Sequence, residues 1–417
     1  MSDAKAAPQA NLNEVKTTPY SWFVAILVAL TYGVSFMSRN VWSTAIPVAH
    51  ESLGITMAAA GGLMTAFYIG YVISNFITGF MVDKIGPRLT LALATLLTGV
   101  FTLLIPLAPN YAAIFLFRVA AGFTSGPLFA GVTKYQISWF SPATRATAMG
   151  LMMSGVSLGS VVATSVFAPV IQNKSWQHGF TYAGLTAVVI AVLFYLFAKE
   201  QGAAAVRSSK KLSAEEKKAQ SAGLKSILFR RSFIIGTVVC FLSIGANMAY
   251  QTYIMMFFTR TRGLSLTVAG AILGGTYAIG LFSGTLSGVV ADLLKRKKLV
   301  CIIGAISSVI LTSLIMTVNS TAALTVILGA RVLLGAFMGT PLNALQSEAA
   351  AGPFVGRAMG IYNGIAQSGS IIFPLIFGFL LDVSGMNFRL LFIGITLTMV
   401  LIAFLILFMD EKRPAKT

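Results

Sequence analysis

Acidic side chains are scarce in this sequence, and where they stand excludes more than their number does. The 417 residues include 12 Asp and Glu against 30 Lys and Arg. All twelve acids (Asp3, Glu14, Glu51, Asp83, Glu200, Glu215, Glu216, Asp292, Glu348, Asp382, Asp410 and Glu411) fall in tails, in loops or at the ends of apolar runs. No mid-run carboxylate is available as a proton relay or as the counter-charge for a cationic substrate. That argues against an exporter of cationic drugs. Charged residues of both signs make up 10% of the chain, where a soluble domain carries about 25%. The two cysteines, Cys240 and Cys301, sit inside apolar runs, so no disulfide framework is expected. No nucleophile–base pair or metal-ligand cluster is visible, so no enzyme, metal or cofactor is expected. Residues 1–20 lack the basic start, apolar core and cleavage site of a signal peptide and read as a cytoplasmic tail.

What remains is 56% hydrophobic and is laid out as a membrane protein. Apolar runs long enough to span appear near 21–49, 56–80, 88–108, 111–137, 146–170 and 178–198. After a polar break come 232–258, 266–291, 299–318, 321–345, 357–381 and 388–409. The expected fold is an all-α membrane protein of twelve transmembrane helices in two six-helix pseudo-repeats. Its bundles are 21–198 and 232–409, joined by a linker at 199–231 and flanked by tails at 1–20 and 410–417. An internal repeat, offset by close to half the chain, supports the division. Arg118-Val119-Ala120-Ala121-Gly122 is echoed by Arg331-Val332-Leu333-Leu334-Gly335, and Ala148-Met149-Gly150 by Ala358-Met359-Gly360.

The formal charge of +18 follows from topology rather than from a nucleic-acid partner. Lys84, Arg88, Arg145, nine basic residues from Lys199 through Arg231, Lys295 to Lys298 and Arg357 all fall on one side. Loops on the other side hold little beyond His50, Glu51, Lys174, His178, Arg260, Arg262, Asp382 and Arg389. The positive-inside bias therefore places both termini and the linker in the cytoplasm. Within the linker, Ser213 to Lys218 can form a short capped surface helix.

Arg39 is the only formal charge inside the apolar run from Trp22 to Ala49. A guanidinium cannot neutralise itself, and near a bilayer centre it costs at least about 2.5–3.5 kcal/mol. Such a residue faces a cavity or the bundle interior unless it snorkels to the interface. Arg39 is read as the cavity-facing anion ligand.

The stretch Gly79-Phe80-Met81-Val82-Asp83-Lys84-Ile85-Gly86-Pro87-Arg88, with a degenerate copy at Gly288 to Asp292, resembles the signature loop of the major facilitator superfamily. That resemblance implies a gating role for Asp83, Arg88 and Arg145 on the cytoplasmic face. Within the superfamily, the Arg39 stretch, Gly61 to Tyr71 and Trp139 to Arg145 resemble the anion:cation symporters. The Arg39-to-Pro47 spacing and Ser74-Asn75-Phe76-Ile77 look also like the organophosphate:phosphate antiporters. In both branches the first-span arginine binds the substrate's anionic group, and Tyr71 matches a site tyrosine. The departures are informative. Ser38 and Ser125 stand where the sugar-acid symporters carry proton-coupling carboxylates, and Asn247 and Asn75 where the organophosphate branch carries further cations. One cavity arginine best suits a singly charged carboxylate or another monoanion.

Helical spacing supplies the rest of the candidate site. Tyr68, Tyr71 and Asn75 share a face of the second span; Asn247, Tyr250 and Gln251 share one in the seventh. Asn363 with Gln367 in the eleventh span is another such pair, as is Asn343 with Gln346 in the tenth. Arg118 and Arg331 admit two readings, anchors of the two halves or substrate contacts. Glu348 is expected to reach Arg357 in a gating loop, and His50 with Glu51 to lie in a solvated loop. The expected molecule is a monomer in lipid that moves a small organic anion, a carboxylate on this reading, across the inner membrane by alternating access; anion exchange, facilitated uptake and proton symport are all open, with a counter-anion or a proton as the candidate co-substrate. Organophosphate antiport and export of an uncharged compound are the alternatives. A membrane sensor is disfavoured because the linker carries no signalling domain.

Overall fold

The computed structural model describes residues 17–141, 144–199, 227–349 and 355–411. Labelled in chain order, α1 spans Pro19–Leu53, α2 Met57–Ile85, α3 Pro87–Leu104 and α4 Tyr111–Trp139, the last broken at Gly126. Next, α5 runs from Arg145–Val161 through a π-helical turn, Val162–Val166, to Phe167–Asn173, and α6 spans Trp176–Phe197. In the second half α7 covers Arg231–Met256 and a π-helical turn Phe257–Thr261, followed by α8 Leu266–Leu294 and α9 Lys297–Thr317. Then come α10 Thr321–Ala349, α11 Val355–Val383 and α12 Phe388–Leu407. All twelve are apolar and long enough to cross a hydrocarbon layer of about 30 Å. The chain is a multi-pass membrane protein of two six-helix halves. Six spans per half put the start of α1 and the end of α12 on one face, termed here the terminal face; the opposite one is the far face.

Several helix ends differ from the sequence reading. Asp83 and Lys84 belong to α2 rather than to a loop, because the turn shrinks to Gly86 at φ 82° with Pro87 opening α3. Only glycine takes that backbone conformation without strain, and proline suits the first helical position. Likewise α1 continues to Leu53 and stops at Gly54, left-handed at φ 61°. His50 and Glu51 are therefore helical and not part of a solvated loop. The linker segment Ser213 to Lys218 lies outside the described residues, as do the side chains of Asp83 and Arg357.

Small residues set the helix spacing. A Cβ on Gly155 of α5 would run into the Ala29 carbonyl of α1, and one on Gly159 into that of Gly33. Beyond that seam Asn40 Nδ2 donates to Ser160 Oγ at 2.9 Å and Thr44 Oγ1 to the Ala163 carbonyl at 3.1 Å. The seam consumes the polar side chains on one side of α1 and leaves Arg39 turned toward α2.

A set of polar latches joins the two halves. The Asp382 carboxylate at the end of α11 accepts from Met57 N at 2.7 Å and Ala58 N at 2.8 Å, at the start of α2. Tyr253 Oη on α7 donates to the carbonyls of Pro374, at 2.6 Å, and Met57, at 3.1 Å. Arg260 pairs with Glu51, and Gln172 Oε1 accepts from Thr267 N at 2.8 Å. Deeper in, Thr65 Oγ1 donates to the Ile371 carbonyl at 2.7 Å. Every one of these latches lies toward the far face, where the halves are closed.

Candidate functional site

Arg39 is 6% exposed. Its Nη2 donates to Ser35 Oγ at 2.8 Å, its Nε to the Ser35 carbonyl at 3.3 Å and its Nη1 to Tyr68 Oη at 3.3 Å. Four rings surround the guanidinium carbon, Phe36 at 4.1 Å, Tyr68 and Tyr71 at 5.2 Å and Phe67 at 5.3 Å. Aromatic faces stabilise a buried cation by roughly 0.5–2 kcal/mol each, but they neither neutralise it nor satisfy its N–H groups. No carboxylate among the described residues forms an ion pair with it. With three hydrogen bonds made, about two of the five guanidinium donors remain for an outside acceptor. Asn75 stands beside the Tyr71 hydroxyl and completes this side.

The second half presents a matching arrangement. A cavity of about 260 Å³ is lined by Asn247, Tyr250, Gln251, Tyr277 and Arg331, among others. The seventh-span face expected from spacing lines this cavity. Arg331 lies 3.8 Å above the centre of the Tyr250 ring and donates from Nε to Thr312 Oγ1 at 3.2 Å. It too lacks an acidic partner among the described residues. The sequence reading missed Tyr277. The signal was present, since Tyr277 follows the start of α8 at Leu266 by the same interval as Tyr68 follows the start of α2 at Met57.

Arg118 parts company with its repeat partner. It is 0% exposed, donates from Nε to the Leu63 carbonyl, and packs against Trp42 and Phe67 at 5.6 and 5.7 Å. Its Nη1 has no partner. The side chain ties α4 to α2 and does not reach the cavity.

The remaining expected residues scatter. Asn363 is exposed and Gln367 half-buried on α11, and neither is hydrogen-bonded to either cavity arginine. Asn343 accepts from Tyr362 Oη at 2.9 Å, and the buried Gln346 Nε2 donates to the Ser232 carbonyl at 3.4 Å. At the terminal face, Arg88 Nη2 donates to the Tyr195 carbonyl at 2.6 Å. Arg145 donates to the carbonyls of Phe140, at 3.0 Å, and Ile137, at 3.3 Å, where α4 ends. Glu348 pairs with Lys297 across α9 and α10, a partner the sequence reading did not name. Each of these contacts stays within its own half.

The family model of the Major Facilitator Superfamily matches residues 28–328 and, again, 263–417. The chain belongs to the Major Facilitator Superfamily. Among relatives, it is 24% identical to the hexuronate transporter of Bacillus subtilis (strain 168), over 87% of this chain and 88% of that one. It is 23% identical to a probable galactarate/D-glucarate transporter, GudP, of the same organism, over 95% and 94% of the two chains. The solved structure of the nucleoside transporter NupG (D323A mutant) superposes with a TM-score of 0.76 at 15% identity, over 94% of this chain and all of that one (100%). That likeness concerns the fold alone. The superfamily and the relatives are those of transporters, and the protein is a transporter rather than an enzyme.

Proposed function

We propose that this protein is a secondary transporter that carries a small organic acid across a bacterial-type inner membrane by alternating access. Arg39 binds a substrate carboxylate through its free donors. One observation carries the reading, a buried guanidinium in an aromatic cage with no acidic partner among the described residues. A charge held that way is costly unless an anion arrives from outside. The relatives support the same chemistry, since hexuronate and galactarate are small sugar acids. The basic loops orient the terminal face toward the cytoplasm, so the latched far face is periplasmic and substrate reaches the site from inside. Substrate binding between the halves draws them together and biases the rocking equilibrium, as differential affinity for two states requires. Tyr68, Tyr71 and Asn75 complete the site on one side; Asn247, Tyr250 and Gln251 do so on the other. Asn363 and Gln367 join from α11 when the halves close on substrate. Asp83, Arg88, Arg145, Glu348 and Arg357 act in opening and closing the cytoplasmic face.

The test is uptake of labelled sugar acids and organophosphates into proteoliposomes. Arg39→Lys keeps the charge but loses the planar fork, so initial rates should fall roughly 10- to 100-fold, about 1.4–2.8 kcal/mol. Wild-type rates in Arg39→Lys, or transport of uncharged compounds only, would refute the reading. Preference for sugar phosphates over carboxylates would move it to organophosphate exchange.

A further inference from the structure

We propose that Arg331 is a second anion anchor in the transport site, and that the substrate carries two acid groups, one held at Arg39 and the other at Arg331. The proposal rests on the organic-acid reading above and narrows it.

The two arginines stand at similar depths. Measured along the helix axis, Arg39 lies roughly 21 Å from the far end of α1 at Leu53, and Arg331 roughly 15 Å from that of α10 at Thr321. The difference is about one helical turn. They belong to opposite halves, and each has tyrosines beside it. Tyr68 bonds Arg39 at 3.3 Å, and Tyr277, at the equivalent position of α8, lies in electrostatic range of Arg331, Tyr250 and Tyr68. Arg331 itself forms part of a cavity wall of about 260 Å³. Arg118, with similar chemistry, is sealed off at 0% exposure. The expectation of a single cavity arginine, and hence of a monoanion, gives way to two.

The consequence is electrostatic. Neither guanidinium has a carboxylate partner among the described residues. A monoacid neutralises one and leaves the other as an unpaired buried charge when the halves close, which is strongly unfavourable. A diacid supplies one carboxylate to each. Because the anchors lie on different halves, the second carboxylate is also what converts binding into closure.

The experiment compares dicarboxylates of two to six carbons, D-glucarate included, each with the compound in which one carboxylate is an amide. Binding is read by intrinsic tryptophan fluorescence of the full chain in nanodiscs. The expected result is that at least one diacid binds ten-fold or more tightly than its monoamide. Arg331→Gln should erase that ratio by weakening the diacid alone, and Arg331→Lys should keep part of it. Arg39→Gln should weaken both ligands. A wild-type ratio near one, or Arg331→Gln weakening diacid and monoamide equally, overturns the proposal while Arg39-dependent monoacid binding keeps the organic-acid reading. If no acid binds to folded wild type, both fall. If Arg331→Gln does not fold, the wild-type ratio and Arg331→Lys decide the matter, since a merely structural arginine gives no charge-dependent ratio.

Discussion

Replacing Asp382 with Asn should open the far face. In the closed arrangement this carboxylate caps α2 from the opposite half, accepting from Met57 N at 2.7 Å and Ala58 N at 2.8 Å. Thr56 Oγ1 caps Ala59 N at 3.2 Å from within the same half. The first turn of α2 thus takes two of its free donors' partners from α11, and it loses them when the halves separate there. A hydrogen bond to a charged acceptor contributes about 1.5–3 kcal/mol net. Asp382 is exposed, so the pair is taken at the low end and reduced for solvent screening. Asn keeps one neutral acceptor and forfeits the favourable charge at a helix N-terminus. The net loss is about 1–2 kcal/mol, a shift of roughly 5- to 30-fold in the equilibrium toward the far-face-open state.

The assay is the distance between spin labels on far-face loops 174–175 and 318–320, one in each half, with Cys240 and Cys301 replaced. Asp382→Asn should increase the population at long distance, and Asp382→Glu should restore much of the short one. An unchanged distribution in a correctly folded Asp382→Asn protein would refute the idea that this cap holds the face shut.

Tyr253→Phe should shift the same distribution in the same direction but by less, roughly 3- to 10-fold, because one hydroxyl hydrogen serves both the Pro374 and Met57 carbonyls. Gly61→Ala should favour the open far face without touching any charge, since a Cβ there would meet the Pro374 carbonyl at 2.5 Å; the label distances check it. Gly155→Leu should lower the melting temperature in detergent and the yield of folded protein, because the α1–α5 backbones cannot separate without undoing the Asn40 and Thr44 bonds.

The architecture was legible because bilayer thickness imposes a length and a hydropathy that no soluble core requires, and because the half-chain repeat is written in residues such as Arg118 and Arg331. The site was half legible. Arg39 stands out as a lone charge in an apolar run, and the i, i+3, i+4 spacing puts Asn247, Tyr250 and Gln251 on one face, where the three line one cavity. What spacing does not encode is which helices meet. Arg118 and Arg331 occupy equivalent sequence positions, yet α2 seals the first with the Leu63 carbonyl, whereas Tyr250 and Tyr277 leave the second on a cavity wall. Asp382 was legible only as a loop acid, because its partners are backbone amides on a helix 324 and 325 residues away in sequence.

The same absence of acids bears on coupling. Of the acidic side chains among the described residues, Glu51 and Asp382 stand at the far face, and Asp292, Glu348, Asp410 and Glu411 at the terminal face. None can swing onto Arg39 or Arg331 when the substrate leaves. To return empty, the carrier must close both halves over two guanidiniums that have no counter-charge among the described residues. Even a modest net penalty of about 3 kcal/mol for burying such a charge slows that step by roughly two orders of magnitude. A loaded carrier is spared it, because the substrate brings the missing anions. The protein should therefore exchange one acid for another much faster than it moves either alone. In proteoliposomes, preloading with unlabelled substrate should accelerate uptake at least ten-fold, and Arg331→Gln should narrow that ratio by easing the empty return. Net uptake as fast as exchange would show that the empty carrier returns without this penalty and would refute the argument.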